Sequence, residues 1–199
     1  MEKDEKKTGK FLEYDETWTI NERWYENGQL HRRKGPAVIA YYDYEKKEIK
    51  EKRWYKHGRL DRDNGPAKIV YYRNGNISME VWYKNGDIHR ENGPARIEYY
   101  ENGNKEKETW FKRGKIHRDD GPAVIQYYED GTVHYKMWLK EDQYHRTDGP
   151  AVIEYGTDGQ IVDQKYFINN KGLTEEEFKK YISIDNLIKS TAKNKKISL

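Results

Sequence analysis

The sequence of 199 residues contains no cysteine and no long apolar stretch. Without cysteine the chain cannot form a disulfide framework, a thiolate metal site or a thiol nucleophile. No apolar stretch approaches the roughly 20 residues that a membrane-spanning helix needs, and the charged residues 1–10 lack the apolar centre of a signal peptide. We therefore expect no membrane insertion and a cytoplasmic location.

Apolar residues are scarce overall. Hydrophobic residues make up 34% of the chain and charged residues 37%, with a mean hydropathy of -1.28. This composition is typical of disordered chains, because little apolar surface is available to offset the loss of chain entropy. Six tryptophans and eighteen tyrosines nevertheless supply large rings that a core can bury. We expect a folded chain.

The charge is nearly balanced, so bulk electrostatics do not favour a polyanion as partner. The net charge is +3, and the first 170 residues hold 31 basic and 31 acidic residues, since residues 171–199 contribute seven of the 38 basic residues and four of the 35 acids. The C-terminal lysines could contact nucleic acid or acidic lipid, but a solvated, frayed end is the commoner explanation. Nucleic acid or nucleotide binding is disfavoured and stays open. These lysines are Lys189, Lys193, Lys195 and Lys196.

An internal repeat decides the fold class. After a first interval of 30 residues the tryptophans recur every 28, and each of the five prolines lies in a Gly-Pro-Ala triplet eleven or twelve residues after its tryptophan. We number the units 1 to 5 from these tryptophans, and the extra residues of unit 1 fall in segment 43–47. The tryptophans are Trp24, Trp54, Trp82, Trp110 and Trp138.

Each unit is predicted to contain two strands. One example is residues 95–100 and 107–111, which are joined by Asn102-Gly103, a dipeptide favoured in type I′ hairpins, and followed by a long turn that ends at Pro122. In unit 1, Ala37, Ile39 and Tyr41 alternate along one face, which we predict to be the core, while the opposite face should be partly exposed.

The predicted fold is mainly β: a repetitive antiparallel β-hairpin meander, either a MORN-like solenoid or an extended sheet, with a short C-terminal α-helical cap. Residues 1–10 should form a charged tail, residues 11–172 a single repeat domain with an N-terminal cap hairpin and a closing half-repeat, and residues 173–199 the helical cap and Lys-rich end. Thr174 to Glu177 matches a capping box. The helix could cover an exposed edge strand.

The pattern Trp-Tyr-x-Asn-Gly-x-x-His-Arg-x-x-Gly-Pro-Ala at residues 82–95 resembles the MORN-type repeat family, especially its variant in bacterial antitoxin-like proteins, phages and large DNA viruses. The resemblance covers roughly residues 18–172, and residues 166–178 look like the last unit of the viral set. It implies an extended β-meander used for binding or self-association, without catalytic residues. These units are longer than typical MORN units of around two dozen residues.

A ladder of His-Arg or Asp-Arg pairs is the strongest candidate site. A metal site is disfavoured, because equivalent positions two strands apart lie about 9.5 Å from each other, and acid-base catalysis is disfavoured because five equivalent clusters leave none singled out. A binding stripe for acidic protein or phosphate groups competes with a structural role in which each arginine pairs with a nearby acid. The Asp at position 61 suggests that the histidine is dispensable. The candidates are Arg32, Arg62, Arg90, Arg118, Arg146, His89, His117 and His145.

Paired tyrosines give a second candidate surface. One ring of each pair should lie in the core and the other on the opposite face, where it could grip a partner or pack across strands. Unit 5 departs from the pattern, because Gly156 replaces the outer tyrosine and Glu141-Asp142 replaces Asn-Gly, and irregular units could be where a partner is recognised. The outer candidates are Tyr72, Tyr100 and Tyr128.

The sequence favours a non-enzymatic protein-binding module, without cofactor or metal, that acts as an inhibitor or adaptor. An antitoxin-like protein or a phage or viral counter-defence factor in the host cytoplasm would fit. Two alternatives stay open: a self-assembling structural protein, and a sponge for small nucleotide or phosphate ligands at the arginine turns.

Overall fold

The computed structural model describes residues 6–14, 16 and 19–197, with side chains as far as Lys189. It contains 22 strands and one helix. In chain order they are β1 (Gly9–Tyr14), β2 (Ile20–Glu26), β3 (Gln29–Leu30), β4 (Val38–Asp43), β5 (Glu48–Arg53), β6 (Tyr55–Lys56), β7 (Arg59–Leu60), β8 (Lys68–Tyr71), β9 (Ile77–Val81), β10 (Tyr83–Lys84), β11 (Asp87–Ile88), β12 (Arg96–Tyr99), β13 (Lys105–Thr109), β14 (Phe111–Lys112), β15 (Lys115–Ile116), β16 (Val124–Tyr127), β17 (Val133–Met137), β18 (Leu139–Lys140), β19 (Gln143–Tyr144), β20 (Val152–Tyr155), β21 (Ile161–Ile168), β22 (Lys171–Leu173) and α1 (Glu175–Ile197).

One antiparallel sheet runs through the molecule. Thirteen strands follow a single hydrogen-bonded path, β1-β2-β4-β5-β8-β9-β12-β13-β16-β17-β20-β21-β22, and β3 pairs with β2 beside it. The first strand begins at Gly9, so residues 9 and 10 of the predicted tail belong to the sheet, while residues 1–5 lie outside the described residues. The predicted mainly-β hairpin meander with a C-terminal helix is confirmed.

Each unit contains a second, smaller hairpin that was not predicted, within the segment expected to be a long turn. In unit 3 it consists of β10 and β11, joined by Asn85 and Gly86, which both have positive φ (54° and 95°) as a type I′ turn requires. The small hairpins also touch one another, because the turn N–H of one unit donates to a carbonyl of the unit before it. Examples are Gly86 N–H to Leu60 at 2.9 Å and Gly114 N–H to Ile88 at 3.2 Å.

The main hairpins use a different turn from the one predicted. At Asn102-Gly103 only the glycine has positive φ (90°), Gly103 N–H donates to the Tyr100 carbonyl, and the register shifts between Glu98 and Tyr99. This is a type I turn closed by a glycine bulge. The type I′ prediction is therefore wrong here, and the asparagine instead accepts Asn104 N–H through its side chain at 2.8 Å.

Both faces of the sheet contribute to the core. Ala37 and its equivalents are fully buried in every unit, as predicted, and Ile97 and Ile153 are buried on the same face. The opposite face is not partly exposed throughout, because Val38 and Val124 are also buried. Val124 clusters with residues of the small hairpins, which cover this face; these residues are Ile116, Leu139 and Tyr144.

The C-terminal helix is longer than the predicted short cap. α1 spans 23 residues and begins with the predicted capping box, since Thr174 Oγ1 accepts Glu177 N–H at 3.2 Å and Glu177 accepts Thr174 N–H at 2.8 Å. The helix contacts the sheet near its start, where the Phe178 ring packs on Tyr166 at 4.8 Å between centroids. Among the described residues no helix is both long and apolar enough to cross a membrane.

Candidate functional site

Every predicted arginine stacks on the tryptophan of its own unit. The guanidinium carbon lies 3.8 to 4.2 Å from the centre of the tryptophan ring, within the range of a cation–π interaction. We call the six residues from the His or Asp position to the proline the arginine loop; in unit 3 it is residues 89–94. The stacked pairs are Arg32 on Trp24, Arg62 on Trp54, Arg90 on Trp82, Arg118 on Trp110 and Arg146 on Trp138.

Each arginine loop closes on its own guanidinium. Nη1 of Arg90 donates to the carbonyl of Pro94 at 3.2 Å, and the same bond recurs in all five units. The loop glycine lies against the guanidinium, so that a Cβ at Gly121 would be 3.1 Å from Cζ of Arg118. The arginine is thus held between an indole ring and a glycine backbone, which explains the spacing of Trp, Arg, Gly and Pro.

The predicted pairing of each arginine with an acid occurs in only two units. Nε of Arg118 donates to Asp120 at 2.9 Å, and Nε of Arg146 donates to Asp148 at 2.8 Å. These bonds lower the pKa values of both carboxyls. Units 1, 2 and 3 have Lys34, Asn64 and Asn92 at the equivalent position, and the structure shows no acid bound to their arginines among the described residues.

The glycine conformation follows the same division. In units 1 to 3 the loop glycine has a positive φ of 99°, 121° and 112°, whereas Gly121 and Gly149 lie outside the left-handed region. The two acid-bearing loops therefore have a backbone different from the three loops that lack the acid. The sequence signal for this difference is a single residue, two positions after the arginine.

In units 1, 2 and 5 the residue before the arginine accepts a hydrogen bond from the unit or half-repeat that follows. Asp61 Oδ2 accepts the backbone N–H of Asn85 at 2.8 Å, His31 Nδ1 accepts His57 N–H at 3.2 Å, and His145 Nδ1 that of Asn169 at 3.3 Å. Asp therefore replaces His at position 61 because a carboxylate oxygen serves as the same acceptor. At His89 and His117 the Nδ1 atom is buried without a partner in the described part of the chain.

Lysines pair with acids across the mouths of the loops. Lys56 binds Asp63 at 2.6 Å and Lys112 binds Asp119 at 2.9 Å, seven residues apart in each unit. Asp119 also accepts from His117 Nε2 at 2.8 Å. The hydrogen bonds from Lys112 and His117 lower the pKa of Asp119 to about 2. The surface around the stacked arginines is thus mixed in charge.

The outer tyrosines connect consecutive units instead of standing free. The hydroxyl of Tyr72 donates to the carbonyl of Tyr99 at 2.6 Å, that of Tyr100 to Tyr127 at 2.8 Å, and that of Tyr128 to Tyr155 at 2.9 Å. Their rings are half-buried. The three predicted tyrosines therefore have a demonstrated structural contact.

The sequence did not predict that carboxylates accept hydrogen bonds from the inner tyrosines, which are the first tyrosine of each pair. Glu108 is buried and accepts a hydrogen bond from the Tyr127 hydroxyl at 2.6 Å, and Glu80 accepts one from Tyr99 at 2.8 Å. Burial, reinforced by the carboxylate, raises the pKa of both phenols. The sequence signal for these contacts is an acid two residues before the tryptophan in units 3 and 4. From the sequence alone, this acid looks like an ordinary exposed strand residue.

The two irregular features of unit 5 have structural explanations. Glu141 and Asp142 both adopt positive φ (50° and 67°), so they reproduce the type I′ turn, and Asp142 Oδ1 accepts Ile116 N–H at 2.8 Å. Gly156 replaces an outer tyrosine in the last unit, where no further main hairpin follows among the described residues. Asp142 therefore joins unit 5 to unit 4, whereas Gly156 lies where there is no following unit for a tyrosine to join.

Two open clefts lie between successive arginine loops. The first, of about 480 Å³, lies between the loops of units 2 and 3 and is lined by Arg62, Trp82 and Arg90 among others. The second, of about 690 Å³, lies between units 3 and 4 and includes Arg118. Within the described ranges no group of three or more His, Asp or Glu residues is placed to hold a metal ion. What the arrangement offers chemically is a line of fixed guanidinium groups beside clefts large enough for side chains.

No protein-family model matches this chain, and no curated protein matches it in sequence. The resemblance to MORN-type repeats therefore stays a prediction that rests on the motif at residues 82–95.

Proposed function

We propose that this chain is a non-enzymatic protein-binding module of the MORN type that acts as an inhibitor or adaptor, as an antitoxin-like protein or a phage or viral counter-defence factor would in the host cytoplasm. The observation that carries the proposal is the line of five stacked arginines, held in the same geometry from unit to unit. Rigid arginines beside aromatic rings are favoured at protein interfaces, because little side-chain entropy remains to be lost on binding.

The arginines themselves are poor positions for a test, since removing one also removes the closure of its loop. The lysines at the loop mouths are better, because they are exposed or nearly so and their ion pairs in the described part of the chain are with loop acids; they are Lys56, Lys84 and Lys112. A matched control replaces three exposed lysines away from the arginine loops, Lys46, Lys180 and Lys189.

Affinity capture with the intact chain, from the cells in which it acts, tests the proposal. We expect one protein at near-stoichiometric amounts, retained by the K46A/K180A/K189A control and depleted at least fivefold by K56A/K84A/K112A. Equal capture by both variants would place the interface elsewhere on the molecule. Absence of any captured protein would contradict the proposal of a binding module.

Self-assembly is the second candidate, favoured by the first part of β21, which forms an open edge of the main sheet. Val162 is 66% exposed and Ile161 50% exposed on β21, and β22 pairs only with Tyr166–Ile168 of that strand. An exposed apolar edge strand is a template for pairing with another chain. One backbone N–H on this edge already has a partner, because Asp163 accepts the N–H of Gln164 at 2.8 Å. Light scattering that showed mass increasing with concentration, and V162K abolishing the increase, would support this alternative.

A further inference from the structure

The arginines of units 2 and 3 have donors that their own chain leaves unused. Arg62 and Arg90 each make one hydrogen bond in the described structure, from Nη1 to the carbonyl of Pro66 or Pro94. A guanidinium has five N–H donors, and the edge formed by Nε and Nη2 is suited to a carboxylate. Neither arginine has an acid on that edge.

Units 4 and 5 show which group the Nε–Nη2 edge binds. There the equivalent donors bind a carboxylate of the same loop: Nε of Arg118 binds Asp120, while Nε and Nη2 of Arg146 bind Asp148 at 2.8 and 3.4 Å. The stacking on tryptophan and the bond to the proline carbonyl are the same in all units. Units 2 and 3 thus keep the stack and the carbonyl bond and lack the acid, while their loop glycines have a positive φ that Gly121 and Gly149 do not have.

The first cleft brings these two arginines together with an excess of positive charge. Its lining includes four basic residues, Lys56, Arg62, Lys84 and Arg90, against three acids, Asp61, Asp63 and Glu91. The acids are engaged within the chain, by the lysines and by Asn85 N–H. The second cleft has three basic and three acidic residues, and its Arg118 already binds Asp120.

We propose that the cleft between units 2 and 3 binds an acidic peptide segment of a partner protein, with one carboxylate on Arg62 and one on Arg90. This inference rests on the proposed function and names the chemistry of the partner. Asn64 and Asn92 leave the Nε–Nη2 edges of Arg62 and Arg90 open. In units 4 and 5, Asp120 and Asp148 of the same chain occupy the equivalent edges.

The separation of the two arginines selects the spacing of the acids. Equivalent positions two strands apart in a sheet lie about 9.5 Å from each other, and we expect Arg62 and Arg90, which hold equivalent positions in units 2 and 3, to have a similar spacing. In a polyproline II segment, side chains three residues apart point to the same side and lie about 9.3 Å apart. The site therefore fits acids at positions i and i+3 of an extended, polyproline-like segment. Acids two residues apart on a β-strand would be about 6.8 Å from each other, a poorer match to this spacing.

The test uses the full chain and a capped peptide containing Glu-Pro-Pro-Glu, with Gln-Pro-Pro-Gln and Glu-Pro-Glu-Pro as control peptides. Calorimetry measures affinity, and the Nε–Hε resonances of the arginines report the site of contact. We expect the first peptide to shift the Arg62 and Arg90 resonances and to bind at least fivefold more tightly than either control.

Variants that copy the chain's own units sharpen the test. N64D/N92D introduces the acid of units 4 and 5, so the internal carboxylates should occupy both edges and weaken peptide binding at least fivefold. N64S/N92S removes the same amides without adding charge and should bind like the natural chain. D120N should open the edge of Arg118, so that its Nε–Hε resonance begins to respond to the peptide.

Three results would overturn the proposal: equal binding of the glutamine peptide, unchanged affinity of N64D/N92D, or inorganic phosphate displacing the peptide and binding the two arginines more tightly. The last would assign the site to phosphate ligands. The outcome is separable from that of the proposed function. A captured partner retained by N64D/N92D would preserve the binding module but remove this site, whereas peptide binding without any captured partner would preserve the site alone.

Discussion

At the scale of single residues, the arginine loop works because an indole ring, a proline carbonyl and a bare glycine backbone meet at one guanidinium. A charged hydrogen bond to a carbonyl contributes about 1.5–3 kcal/mol and a cation–π contact about 0.5–2 kcal/mol. The contact with the glycine backbone lets the loop close tightly enough to bring the proline carbonyl within 3.0 to 3.3 Å of Nη1. Glycine is therefore needed for space in some units and for both space and φ in others.

Two glycine substitutions separate these requirements. Gly121→Ala keeps an ordinary φ but places a Cβ 3.1 Å from the Arg118 guanidinium, so overpacking should cost about 1–3 kcal/mol and disturb the stack. Gly103→Ala has open space around its Cβ but a φ of 90°, so backbone strain of about 1–2 kcal/mol should act without disturbing any arginine. Urea denaturation gives the costs. A shift of the Arg118 Nε–Hε resonance in the Gly103 variant as well would contradict this division.

The buried tyrosine–glutamate contacts make stability sensitive to alkali. Burial, and then the charge and hydrogen bond of Glu22, raise the pKa of Tyr41 to about 12. Because the folded state holds this proton more tightly than the unfolded state, the stabilisation is complete below pH 10 and is lost as the pH rises toward 12. We expect the free energy of unfolding to fall across this range, with the four tyrosines whose pKa values are raised most, Tyr41, Tyr99, Tyr127 and Tyr135, ionising last in an absorbance titration.

The control for this prediction is Glu108→Gln, which removes the charge beside Tyr127 and keeps an acceptor. The pKa of Tyr127 should move down toward its ordinary value, so that one tyrosine fewer ionises late. An unchanged titration would mean that burial alone sets the order of ionisation.

At the scale of elements, the two kinds of hairpin divide the work of each unit. The main hairpins extend the sheet, while the small hairpins cover one face and hydrogen-bond to the preceding unit. The sequence predicted the first kind because its strands alternate over four to six residues. It did not predict the second kind, because strands of two residues are too short to show a period.

The type of turn in the main hairpins could not be predicted from the sequence either. Asn-Gly suits both a type I′ turn and a type I turn with a glycine bulge, and only the number of residues between paired positions separates them. The partner of each arginine was similarly hidden, because a proline main-chain carbonyl leaves no trace in a residue pattern. By contrast, the 28-residue period and the capping box of α1 could be identified in advance, since each depends on local residue types at fixed spacing.

Helix α1 is expected to depend on one ring. Phe178 is buried against Tyr166, while Tyr181 on the next turn is 42% exposed. Phe178→Ala should release the helix from the sheet and reduce the helical circular dichroism signal by at least a third, because a helix without tertiary packing is only marginally stable in water. Tyr181→Ala should leave the signal nearly unchanged. An equal loss of helical signal in both variants would contradict the assignment of Phe178 as the contact that holds the helix to the sheet.

At the scale of the whole molecule, stability is distributed along a line of nearest-neighbour contacts. Tyrosine hydroxyls, turn N–H groups and the His or Asp acceptors each connect one unit to the next. Such an array behaves as units coupled in one dimension, so cooperativity depends on every junction.

Removal of one hydroxyl tests that coupling. Tyr100→Phe deletes the bond to the Tyr127 carbonyl and should lower the free energy of unfolding by about 1 kcal/mol. Because it weakens one junction, it should also reduce the denaturant dependence as the array begins to unfold in two blocks. Tyr144→Phe is the control, since that hydroxyl reaches only the sulfur of Met137 at 4.0 Å. A loss of stability with an unchanged slope would argue against separate blocks.

The outer tyrosines also bear on how a gene of this kind can change length. Units 1 to 4 each bring a hydroxyl donor for the unit that follows, and units 2 to 5 each bring a carbonyl acceptor for the unit that precedes. Unequal recombination that adds or removes a whole unit therefore recreates the same junction on both sides, whereas a partial unit leaves a donor facing the wrong residue. Selection should accordingly tolerate changes in unit number far more readily than insertions within a unit, and the number of open arginine edges would change with it.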